Sequence, residues 1–357
     1  MRAEISLPGM RVVVFSTDRN ILKPDSAAYM RQQAYAKHFD SYTVFVGSLL
    51  PRAMTICNIA PNATAYPLHP LSFFGSLGLV YRELKRADIF SSQDPFEAGL
   101  FGLFASWFSR KPLHVQVHTN FYAIAFAHSS FRNWMLCTFA PVVARRANRI
   151  RVVSESIKES IQKNIAPKAP ITVLPIFVDT KRFQNIPRIK HQQFKIALLV
   201  VSRLEKEKNV RLAISALKVA RERGHDAGLT VVGAGSEEGR LNAQARSFGL
   251  ERFVAFVGEG DPVPHYTSAD VLLVPSLYEG YGMVIIEALS AGIPVIATDV
   301  GIAREAGAIV TSEKDFEKTV SRWIESGPRQ SSLTGYPYTS FEQYVQLYCS
   351  DLKATTS

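Results

Sequence analysis

Cysteine is scarce. The 357 residues hold three, Cys57, Cys137 and Cys349, far apart and odd in number. That excludes a disulfide scaffold and makes reduced thiols in a cytosolic protein the simplest reading. Long apolar runs are also missing. A bilayer crossing needs roughly 18 apolar residues, whereas the longest stretches, Leu71–Tyr81 and Ala98–Phe108, hold 11 each. Tyr122–Ala140 is interrupted by His128, Arg132 and Asn133. Met10–Phe15 is a short apolar run with no small-residue cleavage site behind it, so no secretory leader is expected. The expectation is a cytoplasmic chain, with peripheral attachment at the inner face of the cell membrane left open. The sequon Asn62-Ala63-Thr64 then has no consequence. No GxGxxG follows the first apolar strand, where the chain reads Ser16-Thr17-Asp18-Arg19-Asn20. This argues against nicotinamide and flavin enzymes, and the lack of a Walker A sequence removes P-loop NTPases.

What is present reads as ordinary globular composition, 47% hydrophobic and 20% charged, which excludes disorder and collagen-like repeats. The length suggests two domains. Arg11–Phe15, Thr43–Val46, Leu113–Val117, Ile150–Val153 and Ile171–Leu174 read as buried strands. A second series follows at Lys195–Val201, Gly228–Val232, Phe253–Val257, Val271–Val274, Pro294–Ala297 and Ala308–Val310. Amphipathic segments such as Val210–Arg223 and Phe316–Ser326 lie between them. Strand–helix alternation implies parallel α/β sheets with right-handed crossovers. The polar stretch Asp179–Gln193 separates the two series and reads as a linker. Two doubly wound, Rossmann-like domains facing a central cleft are expected, spanning 1–186 and 187–330. Ligands in such sheets sit at the carboxyl ends of the strands.

Chemistry concentrates in strand-to-helix loops. Glu279-Gly280-Tyr281-Gly282-Met283-Val284-Ile285-Ile286-Glu287 follows the strand Val271–Val274. Its glycines allow a tight turn into a helix whose first N–H groups form an anion site. Glu287 lies about one turn inside an apolar helix, where a carboxylate is costly unless it accepts hydrogen bonds. Arg203 and Lys208, in Ser202–Asn209 after the first strand of the second series, could neutralise a diphosphate. That run taken alone would more simply be a solvated loop. His118 ends a strand of the first series, whereas His114 reads as structural. Gly233-Ala234-Gly235 and Val257-Gly258-Glu259-Gly260 are weaker signs of a close backbone approach to a ligand.

These residues resemble retaining GT-B glycosyltransferases of family 4. The likeness rests on Arg203…Lys208, on the Glu279-x7-Glu287 spacing, and on the runs Ala269–Ser276 and Glu287–Thr298. It is dense from about Lys195 to Glu305 and continues more weakly through His118, Val152-Val153-Ser154 and Leu174-Pro175…Val178-Asp179…Phe183. The resemblance implies that Arg203 and Lys208 bind the diphosphate of a nucleotide-sugar. It implies that Glu279 contacts donor-sugar hydroxyls, with backbone amides near Gly282, Met283 and Val284 holding sugar or phosphate. Glu287 would accept ribose hydroxyls, His118 would contact the sugar near the reacting carbon, and the base would lie near Val257 and Gly258. No two aspartates stand two residues apart, so the Asp-x-Asp metal site of many metal-dependent glycosyltransferases is missing. Neither metal nor cofactor is expected, only a nucleotide-sugar donor. Two departures stand out: the loop Thr17–Ala28 has no glycine, and Ile176-Phe177 replaces the family's Asn-Gly. The segment 331–357 should contain a closing helix that returns to the first domain.

The net charge of +10 is uneven. Residues 1–186 hold 22 Lys+Arg and 11 Asp+Glu, a net of +11, and residues 187–357 hold 19 and 20, a net of −1. The excess therefore belongs to the acceptor half. Arg132, Arg145, Arg146, Arg149 and Arg151 beside Phe131, Trp134, Met135 and Leu136, with Arg82, Lys85 and Arg86, could form a basic face for an anionic membrane. A core helix with a solvated basic end fits equally. No groove-sized basic stripe or module for nucleic acid is found. The expected function is transfer of a hexose to a lipid-linked or polysaccharide acceptor in envelope glycan synthesis. The alternatives are a nucleotide-sugar epimerase, a phosphorylase-like enzyme on the same fold, or a non-catalytic binding protein.

Overall fold

Both series of apolar strands form parallel sheets covered by helices. The computed structural model describes residues 9–47, 55–68, 73–127, 130–189 and 193–356. Within the expected linker, residues 190–192 lie outside the described residues, as do residues 71 and 72 of Leu71–Tyr81. The chain divides into two units. One comprises Met1–Tyr122, Ser130–Leu174 and Thr339–Ser357, and the other comprises Ala123–Ser129 and Pro175–Tyr338. The division thus falls at Leu174, where the sequence suggested 186.

The first unit holds β1 (Arg11–Ser16), β2 (Ser41–Gly47), β3 (Cys57–Ala60), β4 (Ala63–Leu68), β5 (Ile89–Ser92), β6 (Leu113–Val117), β7 (Arg149–Val152) and β8 (Ile171–Val173). Their order is β3-β4-β2-β1-β5-β6-β7-β8. All neighbours are parallel except the hairpin β3–β4. Successive residues of β1, β2 and β6 are buried, as expected of strands with helices on both faces.

The second unit holds β9 (Ile196–Val201), β10 (Ala227–Val232), β11 (Val254–Gly258), β12 (Val271–Val274), β13 (Val295–Thr298) and β14 (Ile309–Thr311), ordered β11-β10-β9-β12-β13-β14. From β9 the chain winds outward through β10 to β11, then returns to pair β12 with the other edge of β9. This reversal makes the β9/β12 junction the topological switch point, where open α/β sheets bind ligands. The loops leaving these two strands carry Arg203, Lys208 and Glu279.

Two arginines assigned to a basic face are inside. The alternation Arg149-Ile150-Arg151-Val152 in β7 places both on one side of the sheet, and the helix Phe341–Lys353 supplies their partners. Arg151 is 2% exposed. It donates to Gln116 Oε1 (2.8 Å), the Leu174 carbonyl (3.0 Å) and Tyr344 Oη (3.3 Å). Arg149 donates to Asp351, whose other oxygen lies 3.1 Å from His114 Nε2. Gln116 donates to Tyr348 Oη (3.0 Å), and the Tyr35 and Tyr344 hydroxyls are 2.8 Å apart. Burial would raise the Asp351 carboxyl, but His114, Arg149 and Thr172 outweigh it and hold it at about 2. Burial keeps His114 below its ordinary range. A neutral imidazole fits, donating to Asp351 from Nε2 and accepting at Nδ1 from Ser91 (3.1 Å).

Candidate functional site

After β9 the chain runs through Arg203 into a 3-10 turn, Lys206–Lys208, and then into the helix Val210–Glu222. Asn209 makes the junction in the left-handed region (φ 49°), which Asn tolerates better than most residues. The turn aims the Lys208 ammonium at Glu279, which follows β12. Lys208 Nζ lies 2.7 and 2.6 Å from the two Glu279 oxygens. Both side chains are largely withdrawn from water, 16% and 9% exposed. Ser276 Oγ donates to Glu279 Oε1 at 2.8 Å. Thr298, at the end of β13, donates to the Ser276 carbonyl at 2.5 Å. The Leu277 amide donates to the Glu207 carbonyl at 2.8 Å, joining the two loops directly. Two residues 71 apart in sequence thus form one doubly hydrogen-bonded ion pair on a braced frame.

Gly282 starts the helix Met283–Ser290 with φ 87°, a conformation that favours glycine. The helix has no side-chain N-cap, so its first turn, with Met283 and Val284, keeps the anion affinity of a helix start. Gly301 (φ 53°) closes the turn, because a Cβ there would lie 2.3 Å from the Tyr281 carbonyl. Glu287 accepts from Tyr266 Oη at 3.0 Å. Burial raises its carboxyl above the usual range, and the Tyr266 hydrogen bond and Arg182 oppose that rise. Arg182 itself pairs with Asp261 at 2.8 Å.

Arg203 is less committed. It is 71% exposed and pairs with Glu207 at 3.0 Å. Val257 is exposed at the end of β11, and Gly258 takes φ 77° and accepts from the Gly233 amide at 2.8 Å. The glycines Gly233 and Gly235 prove to serve packing. A Cβ on Gly233 would sit 1.8 Å from the Ser202 carbonyl, and one on Gly235 2.4 Å from that of Leu204. Their close approach is to the Arg203 loop.

His118 follows β6 in the first unit, half-buried. Burial, with Arg151 and Arg31, pushes it down to about 3, so it is a neutral imidazole at physiological pH. In the same unit the glycine-free loop after β1 folds as a 3-10 turn, Arg19–Leu22, capped by Asp18. The short helix Ile124–Ala127 groups with the second unit, where Phe126 meets Tyr278 edge-on at 5.4 Å.

Three supporting residues escaped the sequence reading. Ser276 had a signal, a hydroxyl three residues before a loop carboxylate. Thr298 and Tyr266 had none, because each reaches its partner through the tertiary fold.

Residues 11–182 match Glycosyltransferase Family 4, and residues 181–335 match Glycosyl transferases group 1. The chain is 33% identical over 168 residues to a Mycobacterium tuberculosis glycogen synthase, covering 46% of this chain and 40% of that one. It thus spans less than half the length of that relative. It is 26% identical over 276 residues to the Staphylococcus aureus capsular polysaccharide biosynthesis glycosyltransferase CapM, covering 70% of this chain and 72% of that one. Its fold is similar to that of Anabaena HepE, solved in complex with UDP, with a TM-score of 0.67, 18% identity, and 96% and 95% of the two chains covered. The two parallel-sheet units are those of a GT-B architecture.

Proposed function

Because the chain belongs to the group 1, family 4 glycosyltransferases, we propose that it transfers a hexose, with retention of configuration, from a nucleoside-diphosphate sugar to a lipid-linked or polysaccharide acceptor. One observation carries the reading: the Lys208–Glu279 pair at the switch point of the second sheet. Bond cleavage builds negative charge on the departing diphosphate, and fixed cations and dipoles aimed there lower the barrier. Lys208, with the more exposed Arg203, supplies the cations, and the first turn of Met283–Ser290 supplies the dipole. We assign these groups the role that a metal would otherwise fill, so the reaction needs neither metal nor cofactor.

In the free protein Glu279 compensates the half-buried lysine. When donor binds, the diphosphate competes for Lys208, and the released carboxylate accepts from sugar hydroxyls while Ser276 holds its other side. Glu287 accepts the ribose hydroxyls. Its raised carboxyl reflects a group withdrawn from water, where two hydroxyl donors would stabilise the ionised form. The base lies against Val257 and Gly258. Neutral His118 hydrogen-bonds the donor sugar near the reacting carbon and brings no competing positive charge. The name of CapM and the basic first half of the chain support an envelope glycan acceptor at a membrane face.

The test is transfer from labelled uridine and guanosine diphosphate sugars by the wild type, Lys208→Ala and Glu279→Ala. Loss of roughly 10²–10³-fold is expected in each variant, with the fold retained. Unchanged turnover in both would overturn the proposal, as would an epimer formed without acceptor.

A further inference from the structure

The helix Glu97–Ser109 reads Glu-Ala-Gly-Leu-Phe-Gly-Leu-Phe-Ala-Ser-Trp-Phe-Ser, with one charge, at its start. A helix apolar all round belongs inside a protein or a membrane. This one buries only one side. Ala98, Gly99, Gly102 and Ala105 face the core, while Phe101 and Phe104 are more than half exposed and Trp107 is 75% exposed. At 13 residues it is about 20 Å long, too short to cross a bilayer core of about 30 Å. Among the described residues no helix is long and apolar enough to cross.

The helix Phe131–Arg146 packs beside it. A Cβ on Gly99 would lie 2.9 Å from Val143 Cγ1, and Arg132 grips Glu97 through two contacts of 2.7 and 2.8 Å. This second helix also turns aromatics outward: Phe131 is 76% exposed, Phe131 stacks on Trp134 at 5.7 Å, and Phe139 is exposed nearby. Apart from Glu97, which pairs with Arg132, the charge of these two helices has one sign. Between Glu97 and Glu155 the chain has no acidic residue and seven basic ones. Arg149 and Arg151 face inward, and Arg132 is answered by Glu97. Exposed Arg110, Arg145 and Arg146 remain in the two helices and the turn that follows the first. Lys85, from the neighbouring helix Phe73–Arg86, lies 5.0 Å above the Phe108 ring.

We propose that this aromatic face is a membrane-docking surface whose partner is an anionic lipid bilayer. The charge argues for lipid over a second copy, since a self-complementary contact would set cations against cations. Amphipathic aromatic rings lie at headgroup depth, and arginines and lysines around them meet lipid phosphates. The sugar-transfer reading gives the surface its purpose, placing the enzyme where a lipid-linked acceptor lies. The binding itself needs neither donor nor acceptor.

The molecule carries its own probe. It has three tryptophans, and Trp323, in the other unit, is only 3% exposed. A change in emission on adding vesicles therefore comes from Trp107 and Trp134. With phosphatidylcholine vesicles containing about 30% phosphatidylglycerol, the full chain should sediment and its emission should shift to the blue. Pure phosphatidylcholine should bind about tenfold less or weaker. The double variant Phe104→Ser/Trp107→Ser should lose about tenfold or more in partitioning while keeping its melting temperature and any nucleotide-sugar binding. Absence of sedimentation and of the blue shift in the wild type would overturn the proposal. So would equal partitioning of the variant, equal binding to neutral vesicles, or a dimer on size exclusion that disappears in the variant. Failed transfer with intact vesicle binding would instead count against the sugar-transfer reading alone.

Discussion

The two units place their charges differently. In the second, Arg203, Lys208 and Glu279 sit in loops at the carboxyl ends of β9 and β12, where Lys208 and Glu279 pair at the switch point. In the first, charge is sorted between inside and outside. Arg149, Arg151 and Asp351 tie the returning C-terminal helix to the sheet, while exposed Arg110, Arg145 and Arg146 lie in or beside the helices that carry exposed aromatics. Cationic side chains thus serve as clamp and as surface and, in our proposal, as donor ligand, and net charge alone cannot separate these uses. What separates them is what the fold brings to each cation: Asp351 and tyrosines from the C-terminal helix for Arg149 and Arg151, a loop carboxylate for Lys208, and solvent for the exposed arginines.

The largest expected effect on stability breaks the inner clamp. Asp351→Asn keeps the volume but leaves Arg149 without its counter-charge, and a broken buried pair typically costs about 3–5 kcal/mol. Urea unfolding followed through the first unit should register the loss. Ser276→Ala is expected to act on chemistry instead. Glu279 would lose one hydrogen bond and some of its alignment, lowering kcat about tenfold, or about 1.4 kcal/mol, with little change in melting temperature. Rescue by Ser276→Thr would support a positioning role.

The two units should also respond oppositely to acid. Asp351 is held at about 2 and His118 at about 3, both below their unfolded values, and His114 is lowered as well. In each case the unfolded chain binds protons more readily. The first unit should therefore lose stability as pH falls below about 6.5, from the histidines, and again below about 4, from Asp351. Glu287 is raised, so the unfolded chain releases its proton first, and its ionisation in the folded site costs stability as pH rises. Glu287→Gln should then be neutral or stabilising by up to about 1 kcal/mol at pH 7 while weakening nucleotide binding. Thermal melts of both proteins across pH 4–8 check the sign, over a range set by these shifts. The smallest effect is expected at the exposed Arg203–Glu207 pair. Glu207→Gln should change stability by less than about 1 kcal/mol, as surface pairs generally do.

Legibility in the sequence followed burial and locality. The second unit could be read well: its strands are short runs rich in Val, Ile and Leu, and each motif is contiguous in sequence. Glu279 and Glu287 were found by spacing, whereas Tyr266, which bonds Glu287 from 21 residues away, was not. In the first unit β5, Ile89-Phe90-Ser91-Ser92, escaped because half of it is serine, though all four residues are buried. The hairpin β3–β4 escaped because its faces are mixed in polarity and exposure. Arg149 and Arg151 were misplaced to the surface for a clear reason. Burial of two arginines is tolerable only once Asp351 and the tyrosines arrive from about 200 residues away, a separation shown by the Arg149–Asp351 pair.

The central claim, that the paired loops of the second unit hold a nucleoside-diphosphate sugar, is tested most directly by melting the wild type and Lys208→Ala with a panel of uridine and guanosine diphosphate sugars. A ligand at 100 times its dissociation constant adds about 2.7 kcal/mol of stability. The account predicts that at least one donor raises the wild-type melting temperature and that Lys208→Ala, folded on its own, loses most of that rise. An equal rise in both proteins, or none with any donor, would contradict it.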